Sequence, residues 1–203
     1  MSILRCTAGS VLSIVLTTMT GFAGDAGVEA RRHQLSALLE DEWEYTLRTH
    51  PEFATYVGDS RYNDRLSDHS SEAVERETKH AQEALKRIEA IDVTGFPEQE
   101  KLNKELAVRE LREQIEGVRL KEWEMPANQM GGIHLSFAAM PSQMPFRTVK
   151  DYENYLARLD LMPRAFDQTI AVMRLGIKHR MVSPRYVLEK VATQAEEIAN
   201  KPP

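Results

Sequence analysis

The stretch Ser70-Ser-Glu-Ala-Val-Glu-Arg-Glu-Thr-Lys-His-Ala-Gln-Glu-Ala-Leu-Lys-Arg-Ile88 decides the fold class. Val74, Thr78, Ala81, Leu85 and Ile88 recur at spacings of four, three, four and three, the seam of a helix packed in a bundle. Ser70 or Ser71 supplies an N-cap oxygen, and Glu72 and Glu75 put negative charge in the first turn, where the helix dipole favours it. Toward the N-terminus, Leu35, Leu38, Leu39, Trp43 and Leu47 share a helix face. Pro51 ends that helix and opens a short turn through Thr55, and Gly58 to His69 reads as polar loop.

Beyond the linker Asp92–Phe96, Pro97 suits a first helical position. The next helix is two-sided. Leu102 and Leu106 share one face, and Val108, Leu111, Ile115 and Val118 fall nearly opposite, which predicts burial on both sides or a bend. Met125 to Arg147 breaks the pattern with three prolines, Gly131-Gly132, four methionines and almost no charge. Thr148 with Asp151 predicts a capping box, and Val149, Tyr152, Leu156 and Leu159 a seam that Pro163 interrupts. Phe166, Ile170, Met173 and Ile177 form another stripe. Ser183-Pro184 predicts an N-cap and N1 pair before Val187, Val191, Ala195 and Ile198. No segment alternates with period two. The expected fold is all-α, an antiparallel bundle-like array with one long irregular loop.

The 203 residues are 42% hydrophobic and 28% charged with a net charge of −5, a globular composition of mixed sign. It offers no basic stripe for nucleic acid, and none is expected as a partner. Met1–Arg5, an uncharged stretch Cys6–Phe22 and the small residues of Gly21-Phe22-Ala23 read as a signal peptide over residues 1–23. The expected mature chain, 24–203, is exported to the periplasm or beyond and keeps no membrane anchor. Cys6, the single cysteine, leaves with the signal, so no disulfide or thiol chemistry is expected.

Chemistry is sparse. The six histidines include no His-Glu-x-x-His pair. Glu77, His80 and Glu83 could share a helix face, but one nitrogen ligand is too few for an ordinary zinc site, and a solvated surface is the expected outcome. No nucleophile elbow or phosphate loop occurs. The Met125–Arg147 loop is the unusual feature, since long loops in helical domains often carry function. Within it Gly131, Gly132, His134 and Phe137 are the candidates for a substrate-cleft or partner-facing surface.

Two blocks carry a family resemblance. Pro51-Glu-Phe-Ala-Thr-Tyr-Val-Gly-Asp-Ser-Arg-Tyr-Asn-Asp-Arg-Leu-Ser-Asp-His-Ser70 resembles the opening signature of the domain-of-unknown-function 885 family. Asp151-Tyr-Glu-Asn-Tyr-Leu-Ala-Arg-Leu159, then Pro163, Arg174-Leu-Gly-Ile177 and Pro184, resemble its continuation in order and separation. The resemblance implies exported, helical, zinc-metallopeptidase-like proteins, longer than this chain, whose His-Glu-x-x-x-Gly-His motif and zinc lie in a C-terminal half that this sequence does not match. No catalytic, cofactor or metal residue carries over. Arg180 stands where relatives commonly have Gly, which puts a different turn before Pro184 in prospect. The expectation is therefore an N-terminal helical portion, inactive alone, whose partner is that C-terminal half. The alternative is a stand-alone helical module that binds a peptide or protein through the 125–147 loop.

Overall fold

The computed structural model describes residues 20–201, so most of the expected signal segment, 1–23, lies outside the described residues. The described residues form seven α-helices and no strand: α1 Thr20–Thr49, α2 Pro51–Tyr56, α3 Ser71–Glu89, α4 Glu98–Arg119, α5 Ile133–Ala139, α6 Val149–His179 and α7 Arg185–Ala199. Among them no helix is long and apolar enough to cross a membrane.

Helix α3 starts as its sequence predicts, with the Ser70 hydroxyl accepting from the Ala73 amide at 3.2 Å. Such a cap stabilises a helix by about 1 kcal/mol. The α3 seam closes against α1 and α4. Leu35 and Leu38, Ala81, Ala84 and Ile88, Ile91, Phe96 and Leu111 form one core, with Leu39, Leu85, Val108 and Ile115 packed around it. Full burial of each large apolar side chain contributes roughly 1.5–3 kcal/mol, which holds three helices without a disulfide.

Leu102 and Leu106 depart from expectation. Helix α4 buries only its Leu111 side, and these two leucines stay exposed. Helices α3 and α1 both meet α4 on its Leu111 side, so its second apolar face is left uncovered.

A second core lies along α6 and is built by the 125–147 segment. Phe137, Met140 and Met144 are buried with Leu66 and Ala165, and Ile133, Phe146 and Phe166 pack beside them. The segment is less irregular than its prolines and glycines imply, since it contains α5 and a 3-10 turn over Met140–Gln143. Several of its apolar side chains pack on the chain's own helix α6, while Met130 stays exposed.

Helix α6 corrects the sequence in two further ways. It runs unbroken through Pro163. That proline is exposed, so the backbone bond it cannot make falls on the side that water serves. The predicted seam Val149, Tyr152 and Leu156 faces outward, with Leu156 59% exposed, and Ile170 and Ile177 are exposed with it. The buried face is Asn154, Arg158, Ala165, Thr169, Val172 and Gly176. Small and polar residues lie inward because backbone segments approach this face closely, as the site geometry shows. The capping box forms as predicted, with Thr148 and Asp151 bonding each other's amides. Pro97 and Pro184 occupy N-cap rather than first-turn positions, so Ser183 does not cap α7.

Candidate functional site

The segment from Pro51 to Ser70 is held against α6 by two side chains, Gln168, which bonds the His69 amide and Asp68, and, more deeply, Arg158. Arg158 is 1% exposed. Its Nε donates to the Arg65 carbonyl at 2.8 Å, and its Nη2 to the carbonyls of Pro51 at 2.9 Å and Tyr62 at 3.2 Å and to the Thr55 hydroxyl at 2.6 Å. Nη1 points to the Met144 sulfur at 3.3 Å. Among the described residues its partners are thus carbonyls, a hydroxyl and a thioether, with no carboxylate. Burial pushes this guanidinium below its usual range, and Glu52 and Asp64 act the other way through space. Its geometry suits the task, because a planar fork of five donors reaches several carbonyls at once. Thr55 relays the arrangement, its hydroxyl lying 2.7 Å from Asn63 Oδ1 and 3.0 Å from the Pro51 carbonyl and donating to one of them. Sequence reading missed Arg158. The available signal was an arginine seven residues before Ala165 and fourteen before Val172, on the face that is in fact buried.

Above this anchor lies a half-open cleft of about 480 Å³. One wall is Phe53 and Tyr56 of α2, and the other is Ile133, Phe137 and Met140. Phe53 is braced edge-on by Trp43 at 5.8 Å, and Phe137 by Phe166 at 5.5 Å. The polar groups are His50, Glu52, Ser67, His69, Ser136, Gln143, Arg158 and Thr169. Glu52 is partly committed, accepting from the Ser67 amide at 3.0 Å and its hydroxyl at 2.5 Å. His50 lies 3.0 Å from the Thr49 hydroxyl and 3.9 Å from Glu77. His69 donates its backbone amide to Gln168, but its ring makes no hydrogen bond among the described residues. Burial holds that imidazole below its ordinary pKa, with Glu52 and Asp68 opposing, so it is neutral at neutral pH.

The four expected loop residues divide. Gly132 and Phe137 line the cleft. Gly132 has φ +138°, and an added Cβ would meet His134 Nδ1 at 3.0 Å and the Ala127 Cα at 3.2 Å, so the bend before α5 needs glycine. His134 is buried on the other side, its Nε2 3.4 Å from Gln194 Oε1, and Gln194 also donates to the Gln129 carbonyl. Gly131 belongs to a turn closed by Asn128, whose side chain accepts from it at 3.0 Å. Neither His134 nor Gly131 is among the cleft residues.

The Glu77–His80–Glu83 face is dispersed. His80 bonds Glu42 of α1 at 3.0 Å and stacks on Tyr45, while Glu77 turns toward His50. Among the described residues no three His, Cys, Asp or Glu side chains are placed to hold a metal ion. The zinc implied by the family resemblance therefore has no ligand set in these residues.

At the far end of α6, the buried Glu124 carboxylate meets His179 Nδ1 at 2.8 Å. Gly176 permits this approach, since a Cβ there would lie 2.5 Å from the Glu124 carbonyl oxygen and 2.7 Å from that of Met181. Arg180 then takes the left-handed conformation, φ 62° and ψ 25°, and Met181 donates to the Gly176 carbonyl at 2.8 Å. This is a Schellman ending, with arginine in the conformation that glycine most readily adopts.

Residues 51–203, about three quarters of the chain, match the family model described as bacterial protein of unknown function (DUF885), and the chain belongs to that family. No curated protein matches the chain.

Proposed function

We propose that this chain supplies the substrate-binding part of the cleft of an exported, zinc-metallopeptidase-like hydrolase, with the zinc and its ligands outside the described residues. The observation that carries this reading is the cleft between α2 and α5, which has apolar walls and a few converging polar groups, the usual make-up of a binding site. The 51–70 segment forms much of one side, fixed by Arg158. In this reading Gly132 and Phe137 face substrate, and the catalytic half is the partner that completes the cleft.

A second reading, a stand-alone exported module that binds a peptide or protein partner, is favoured by a separate observation. Phe137, Met140 and Met144 are already buried against Leu66 and Ala165, so the 125–147 segment does not need a second half to cover it.

Co-expression separates the two. The chain is produced alone and with the C-terminal half of a family member that carries His-Glu-x-x-x-Gly-His, and both samples are assayed on a fluorogenic peptide library with and without chelator. Chelator-sensitive cleavage that needs both pieces supports the hydrolase reading. Peptide binding by this chain without complementation favours the module. Neither binding nor complementation ends both. Export is tested on the same material by mass spectrometry, with a mature N-terminus close to Ala23 expected. A product retaining Met1 to Phe22 in the cytoplasm overturns export.

A further inference from the structure

Resting on the cleft reading above, we propose that the cleft is a specificity pocket for a large uncharged apolar side chain of a peptide, and that His69 holds the adjoining amide. The walls set the first half of this assignment. Phe53 and Tyr56 oppose Ile133, Phe137 and Met140 across about 480 Å³, within the range of sites that bury small ligands. Phe53 and Phe137 each meet a second aromatic ring edge-on, Trp43 and Phe166.

The polar lining sets the second half. The His69 ring is half-buried, lines the cleft and makes no hydrogen bond among the described residues. A neutral imidazole offers one donor and one acceptor, which matches a peptide amide. The charges argue the same way. Arg158 has Nε and Nη2 committed to three carbonyls and a hydroxyl and Nη1 turned to the Met144 sulfur, so its charge already faces protein groups, and Glu52 repels an acidic ligand. A cationic ligand would meet Glu52 already engaged by Ser67, with the buried Arg158 charge beside it. An uncharged side chain avoids both conflicts.

The test uses the mature chain and labelled, end-blocked pentapeptides of Gly and Ser that carry one Phe, Leu, Ala, Glu or Lys, with binding read by fluorescence anisotropy. Phe and Leu peptides should bind about tenfold or more tightly than the other three, the factor expected when one large side chain is buried. Ser136 is an exposed residue of the cleft lining, so Ser136→Trp should obstruct the cleft without touching either core. It should weaken Phe-peptide binding about tenfold while the melting temperature stays put. His69→Ala should weaken binding about three- to tenfold, and His69→Gln, which keeps a donor and an acceptor, should recover part of that. Equal binding of all five peptides, or unchanged binding by Ser136→Trp, overturns the pocket assignment and leaves the broader cleft reading standing. No binding of any peptide also overturns the pocket assignment, and complementation by the catalytic half then decides the broader reading by itself.

Discussion

The Arg158 Nη2 lies 2.9 Å from the carbonyl oxygen of Pro51, across 107 residues of sequence. The bond joins α6 to the first residue of α2, and the same guanidinium also reaches Tyr62 and Arg65. The two blocks that carry the family resemblance, 51–70 and 151–159, thus meet at one side chain. A buried guanidinium is ordinarily costly. Here carbonyl dipoles replace a counter-ion, and they place one side of the cleft.

Arg158→Ala should lower unfolding stability by about 3–5 kcal/mol, because it strands buried carbonyls as well as removing charge-assisted bonds. Arg158→Lys should recover little, since an ammonium cannot span carbonyls that the planar fork bridges. Urea denaturation measures both. A midpoint close to that of the wild type for either variant would contradict this role.

Gly176→Ala places a methyl group 2.5 Å from the Glu124 carbonyl oxygen, a backbone atom that cannot swing aside. The expected cost is about 1–3 kcal/mol, with the Glu124–His179 pair disturbed. Thermal unfolding reports the cost, and the imidazole resonances of His179 report the pair. An unshifted melting temperature would show that the α6–Glu124 contact yields more readily than the structure implies.

Arg180→Gly should go the other way. Left-handed backbone costs a side-chain-bearing residue about 1–2 kcal/mol, part of which is offset by the greater freedom of glycine in the unfolded chain. A gain of about 0.5–1 kcal/mol is expected. A loss would mean that the Arg180 side chain makes a stabilising contact that outweighs its backbone strain.

The pH dependence turns on His69 and Glu77. Burial lowers the His69 pKa, with Glu52 and Asp68 opposing and His50 and Arg164 adding to it. The unfolded chain therefore takes up this proton first, so the His69 contribution is intact above 6.5 and is lost as pH falls from there toward the folded value. Burial raises Glu77, against His50, Arg76 and His80 and with Asp68, and its sign is opposite: stability is lost as pH rises above 4.5 toward the raised value. His69→Gln should flatten the decline on acidification below 6.5. Glu77→Gln should raise the urea midpoint at neutral pH. Unaltered pH profiles in both variants would remove these groups from the acid response.

The local elements are legible along the chain. Ser70 and Thr148 with Asp151 mark helix starts through bonds that span three residues, Pro51 does so through its fixed φ, and the α3 seam faces its core because its period is that of one helix. Gly132 and Phe137 stood out for composition alone, and both line the cleft. Which face of α6 turns inward depends on long-range packing. Apolarity points to Val149, Tyr152 and Leu156, yet the buried face carries Arg158 and Gly176. Close backbone approaches at Arg158 and Gly176 account for this. Carbonyls of Pro51, Tyr62 and Arg65 call for a buried donor, and the Glu124 carbonyl calls for an absent Cβ. Those demands come from segments 52 to 107 residues away, so no periodicity within α6 records them. The cleft is the same case, because His50, His69 and Phe137 become neighbours only when Arg158 draws the 51–66 segment against α6.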